Sequence, residues 1–241
     1  MRIIVFVLLT FHSQILWAQL FDTSIIPEFS GEAELGGTLT TGNTETASFK
    51  GKFNLFQEFD DWKNEYLIEG LYSRDAGVTK ARNFRTLLQT NRKLTDDQKY
   101  LFANLTYRSD DFAGYESKTL VSAGWGSELI EASRHSLFAE IGPGYQYTQY
   151  TLEQNQANQH QFLAHAALTY KWNISETADF SQQLIIDAGS QIDGRSETSV
   201  SANLIGSLAM KLAVIAKYTS QQNSTLKTLD TETTATLLYK F

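Results

Sequence analysis

Ala235, Leu237, Tyr239 and Phe241 alternate with Thr234, Thr236, Leu238 and Lys240, and this two-residue period recurs from Gly31 to the C-terminal Phe. A period of two belongs to strands with two unlike faces. The alternating segments run to roughly nine to fourteen residues, which suits a tilted membrane crossing. Strands of a water-soluble β-sandwich, the rival architecture, average about five or six. Turn signals separate twelve such segments, with ten as the alternative count. The reading is an all-β, antiparallel, up-and-down transmembrane barrel over residues 29–241. In lipid every backbone N–H and C=O needs an internal partner, and a closed sheet supplies one without leaving an edge.

Residues 1–18 read as a signal peptide: Arg2, then the run Ile3 to Phe11, apolar except for Thr10, with Ala18 as the cleavage point. Residues 19–28 form a lead-in. Removing the signal leaves 19 basic and 27 acidic residues, with no basic stripe, so nucleic acid is not an expected partner. The chain has no cysteine, which excludes a disulfide framework and thiol chemistry.

Chain reversals are expected at Gly42-Asn43, Asp60-Asp61, Asp96-Asp97, Asp193-Gly194, near Asn155 and Asn223, and near Met210-Lys211. Pro143 lacks a ladder donor, so a bulge or an early strand end is expected there. Aromatic rings collect at strand ends. Trp62, Tyr66, Tyr100, Trp125, Tyr170, Trp172, Phe180, Tyr239 and Phe241 fall on the side of the termini. Phe84, Tyr107, Tyr145, Tyr147 and Tyr218 fall on the other. Two such belts mark membrane–water interfaces.

The polar set of each strand then faces a lumen. Glu32, Glu34, Glu69, Glu140, Asp187 and Glu232 face Lys50, Lys52, Arg85, Arg108, Lys118, Lys171, Lys217 and Lys240, with His165 beside them. Six acids against eight bases permit ion pairs across the barrel. Twelve strands enclose more than the roughly eight that side chains can fill, and less than the 16 or so of open porins. Such a lumen is a narrow path for small solutes or a braced, plugged interior.

Catalytic and metal signals are weak. His135 and His160 are expected in solvated turns. His165 has no identifiable nucleophile and orienting group, and no Gly-x-Ser-x-Gly motif occurs. Asp110, Asp111 and Glu116 lack a cation-ligand pattern and read as a solvated acidic loop. No cofactor, catalytic residue or metal ligand is assigned.

Four stretches carry a resemblance: Leu35-Gly36-Gly37 through Thr40-Thr41-Gly42-Asn43-Thr44-Glu45-Thr46, Asp110 to Tyr115, Gly142-Pro143-Gly144-Tyr145, and Asp230 to Phe241. In this order and spacing the chain resembles the YdiY-like family of salt-induced outer-membrane proteins, a domain family of unknown function. The resemblance implies the outer membrane of a Gram-negative bacterium and a salt-linked role. It implies no substrate or catalytic residue. The expected function is a narrow solute channel or an envelope-integrity barrel tied to osmotic conditions. A membrane-embedded lipid-modifying enzyme and a structural or adhesive barrel are the alternatives. Expected partners are outer-membrane lipids, the barrel-assembly machinery and small solutes, with the barrel acting as a monomer.

Overall fold

Period-two strands bury one face only if something apolar covers it, and here that covering is outside. The computed structural model describes residues 27–40, 46–94, 98–111, 113–151, 157–220 and 228–241. Its strands are β1 (Glu28–Thr40), β2 (Thr46–Phe59), β3 (Trp62–Asp75), β4 (Val78–Lys93), β5 (Lys99–Asp110) and β6 (Tyr115–Ala132). The second half is β7 (His135–Tyr150), β8 (Gln159–Asn173), β9 (Ala178–Ala188), β10 (Ile192–Ile205), β11 (Leu208–Thr219) and β12 (Leu229–Lys240). Each strand pairs antiparallel with its chain neighbours, and β1 pairs with β12, so the sheet closes. The ring is completed at the termini: Gly31 N–H donates to Phe241 O at 2.8 Å and Phe241 N–H to Gly31 O at 3.0 Å.

The outward set is apolar and exposed. Leu35, Ile68, Leu101, Val121, Ile141, Leu168, Ile186 and Leu212 all stand on the outer wall, and Phe162 is 83% exposed. A band of this size would be a large penalty in water, whereas lipid tails are its natural solvent.

Three expectations about the chain path need correction. The β9–β10 reversal is at Gly189–Gln191, where Gly189 N–H donates to Gln191 O at 2.9 Å; Asp193 and Gly194 already lie on β10. The β10–β11 turn is at Gly206-Ser207, four residues before the expected one, with Gly206 at φ +54°. A left-handed backbone there suits glycine, and a register shift between Asn203 and Ile205 precedes it. Pro143 neither ends β7 nor shifts its register. Its pairing to β8 is continuous, and on the β6 side the register holds from Ser122↔Gly144 to Trp125↔Ile141 across an interrupted ladder. Two glycines explain the tolerance. A Cβ on Gly124 would sit 2.2 Å from Ile141 O, and one on Gly142 would sit 2.1 Å from Ala123 O. The backbones approach closely where Pro143 cannot donate.

The reversals expected at Gly42-Asn43, Asp96-Asp97, Asn155 and Asn223, and the signal segment 1–18, lie outside the described residues.

Candidate functional site

Alternation aims every second side chain inward, so the charged residues of twelve strands meet inside one tube. They form layers. Toward the end away from the termini, Lys118 Nζ on β6 lies 2.7 Å from Asp193 Oδ2 on β10, with the two side chains 6% and 5% exposed. Gln146 Nε2 (3.3 Å) and Thr219 Oγ1 (3.0 Å) also donate to Asp193. Arg108 Nη2 on β5 meets Asp187 Oδ2 on β9 at 3.1 Å, and His165 Nδ1 meets the other oxygen of Asp187 at 2.6 Å. Lys50 Nζ is 2.8 Å from Glu232 Oε1, while Lys217 lies within 3.9 Å of Asp110 and 3.8 Å of Glu232. Gln146 and Thr148 are buried in the same layer, each 1% exposed.

A second layer joins the walls below. Arg195 Nη2 on β10 bridges Glu69 Oε1 on β3 at 3.2 Å and Glu197 Oε2 at 2.8 Å. Arg85 reaches the same Glu69 oxygen at 3.5 Å. Lys52 lies 3.4 Å from Glu197 and 3.7 Å from Glu34, and Lys211 lies 2.8 Å from Glu34 and 3.5 Å from Glu197. Several of these pairs join strands far apart around the ring (β2 to β10, β3 to β10, β5 to β9, β5 to β11), so they cross the lumen as struts. Desolvating so many charges is costly, and each holds only while its partner is present.

Below the struts a cavity of about 940 Å³ extends to the turns at the termini end. Lys52, Arg85, Arg108, Glu197 and Lys211 form its roof. Leu67, Leu87, Leu120, Ala167 and Ile185 line its middle, and Lys63, Lys93, Glu131, Lys171, Asp179 and Lys240 its mouth. Glu140 reaches over this space: its Oε1 accepts from Tyr100 Oη and Gln89 Nε2, both at 2.9 Å. Lys240 Nζ pairs with Asp179 at 2.7 Å. Glu32 also lines the wall.

All fifteen residues read from the sequence as lumen-facing thus stand on the inner wall. Four charges of the ion-pair layers were missed on β10 and β11. Asp193, Arg195 and Glu197 were hidden by placing the reversal at Asp193-Gly194, and Lys211 by placing a turn on it. They add two charges of each sign, and Asp110, Glu65, Lys63, Lys93, Glu131 and Asp179 add further charges to the inner wall. Tyr100, expected in the belt, points inward and packs over Gly126, where a Cβ would meet its ring at 2.3 Å. Trp62, Tyr66, Trp125, Trp172, Tyr239 and Phe241 stand on the outer wall toward the termini, and Tyr107, Tyr145 and Tyr218 toward the other end. Of the two histidines expected to be solvated, His160 is exposed and His135 half-buried, and both contact tyrosines. His160 packs 4.8 Å from the Tyr147 ring and its Nδ1 is 2.7 Å from Tyr145 Oη; His135 Nδ1 is 2.7 Å from Tyr170 Oη.

His165 and Asp187 form a base and its orienting carboxylate. A hydrolase would also need a nucleophile within hydrogen-bond reach of the imidazole. Ser122 Oγ is buried and has no hydrogen-bond partner among the described residues, so it does not complete a triad. Asp111 pairs with Arg82, and no cluster of three or more metal-ligating His, Cys, Asp or Glu occurs among the described residues.

Residues 33–241 match the profile of a protein family of unknown function, DUF481, and the chain belongs to that family. It is 24% identical over 217 residues to the uncharacterized protein YdiY of Escherichia coli (strain K12), covering 88% of this chain and 82% of that one. In fold it is similar to the COG4313 outer membrane channel from Pseudomonas putida F1, with a TM-score of 0.51 and 8% identity over 90% of this chain and 95% of that one. It is likewise similar to the NanC porin, with a TM-score of 0.51 and 7% identity over 88% and 98% of the two chains.

Proposed function

We propose that this member of the DUF481 family is an outer-membrane protein of a Gram-negative bacterium and works as a narrow channel for small solutes, held shut by its cross-lumen ion pairs. One observation carries the reading: among the described residues, the cavity that opens at the termini end stops beneath a layer of paired, largely buried charged side chains. A plug of side chains opens by rearranging pairs. Ionic strength acts on the same pairs. The Debye length falls from about 8 Å in physiological salt to about 3 Å at 1 M, and half-wetted pairs such as Lys217–Glu232 weaken first. This gives a salt-linked role a physical route.

Planar-bilayer recording of the refolded barrel tests it. Wild type should show brief stepwise openings whose frequency rises with KCl beyond the rise in bulk conductivity. Arg195→Gln with Glu197→Gln removes one charge of each sign and a strut, and should raise open probability several-fold. Silence from both proteins would sink the channel reading. The struts would then serve only to brace the barrel, the envelope-integrity alternative.

Entry into the membrane by the barrel-assembly machinery belongs to the same proposal. Phe241 closes the ring through Gly31 and stacks on Phe53 at 6.0 Å and Tyr239 at 6.2 Å. Phe241→Asp should cut the heat-modifiable band in outer-membrane fractions several-fold and leave protein in the periplasm. An undiminished band would remove the C-terminal aromatic from the recognition argument.

A further inference from the structure

A ladder of cations runs along one wall of the lumen. The register sets Arg85 opposite Arg108 across β4 and β5, and Arg108 opposite Lys118 across β5 and β6. Like charges directly opposite one another destabilise a sheet, so each must be answered from elsewhere. Lys118 is answered by Asp193 at 2.7 Å, and Arg108 by Asp187 at 3.1 Å. Arg85 is answered poorly. Its contact to Glu69 is 3.5 Å, Arg195 holds the same oxygen at 3.2 Å, and Arg85 Nε is buried without a hydrogen-bond partner among the described residues. In its layer Glu34, Glu69 and Glu197 oppose Lys52, Arg85, Arg195 and Lys211, which leaves one positive charge in excess. Arg85 faces the open cavity.

The next inward rung toward the termini is of another kind. Leu67 stands opposite Leu87, Leu87 opposite Thr106, and Thr106 opposite Leu120. On the facing strands Ala167 stands opposite Ile185. An apolar band therefore lies directly beneath a cation with unused donor capacity. Leu67, Leu87 and Leu120 are already mostly buried, so the band offers the cavity a narrow apolar edge rather than a bare wall.

We propose that Arg85 and this band form a binding subsite for a small amphipathic anion, a carboxylate on a short aliphatic chain, entering from the termini end. The carboxylate pairs with the cavity-facing guanidinium of Arg85 in a charge-assisted bond, and the chain lies along Leu67 and Leu87. The subsite rests on the channel reading for its purpose, as the place where a permeating solute pauses below the gate. Binding tests it apart from conduction.

Isothermal titration of the refolded full mature barrel in micelles, with a micelle-only blank, is the experiment. Hexanoate should bind one to one at neutral pH. Acetate should bind at least tenfold more weakly, since each buried methylene is worth about fourfold. Hexylammonium should give no heat above the blank. Arg85→Gln should weaken hexanoate at least tenfold and Arg85→Lys only a few-fold, while Leu87→Asn should weaken hexanoate and spare acetate. Heat-modifiable migration verifies that each variant is folded. Unchanged hexanoate binding in Arg85→Gln, equal binding of hexylammonium, or no hexanoate binding by wild type would overturn the subsite. Conductance without hexanoate binding sinks the subsite alone; hexanoate binding without conductance sinks the channel alone.

Discussion

Asp193→Ala should destabilise the barrel by about 3–5 kcal/mol, measured by reversible unfolding in lipid vesicles. The substitution removes more than a contact. It leaves Lys118 as an uncompensated charge in a site where both side chains were almost fully buried. It also strips Thr219 of its acceptor and Gln146 of one of two. Replacing the pair together, Lys118→Met with Asp193→Leu, should be close to neutral, because desolvation of both charges disappears along with their attraction. The contrast between single and double variants is the informative quantity. A single variant costing under about 1 kcal/mol would mean that water reaches Lys118, as at an exposed pair, and that the closed layer is not closed.

The same layer shows where the sequence is transparent and where it is opaque. Alternation is legible because lipid outside and charge inside differ so strongly, so one residue of phase error would invert a strand. Glu34, Lys52, Glu69 and Arg85 could be placed inward on that basis alone. Asp193, Arg195 and Glu197 could not, because Asp-Gly is also a strong hairpin signal. Extending the phase of Ser199 and Ser201 backwards would have found them. Leu87 and Leu120 escaped for a different reason. A rule that makes lumens polar has no place for an apolar rung, yet their parity with Arg85 and Lys118 was there to read. The pairings themselves had no local signal. Which acid meets which base depends on barrel diameter and strand stagger, quantities that belong to all twelve strands at once. Hence charges of both signs and, as one of two readings, a plugged interior were foreseen in the lumen, while the individual pairings and the cavity under them were not.

Leu168 and Thr169 offer the sharpest test of the division between lipid and lumen. They are adjacent on β8. Leu168 is 44% exposed on the outer wall and pairs in register with Ala139 and Leu184, above the belt residues Trp172 and Phe180. Thr169 lines the cavity below the ion-pair layer. Leu168→Arg places a charge among lipid tails and should cost up to about 2–4 kcal/mol near the midplane, less toward an interface. Thr169→Arg projects into a wet space whose walls already carry Glu140 and Lys171. It should change stability by under about 1 kcal/mol, as exposed substitutions do, while altering single-channel conductance. Unfolding in vesicles of both variants, side by side, reads the difference directly. If Thr169→Arg were the more damaging, the inner and outer faces of β8 would be exchanged. His165 would then face lipid, and its bond to Asp187 and the roof of the cavity would go with it.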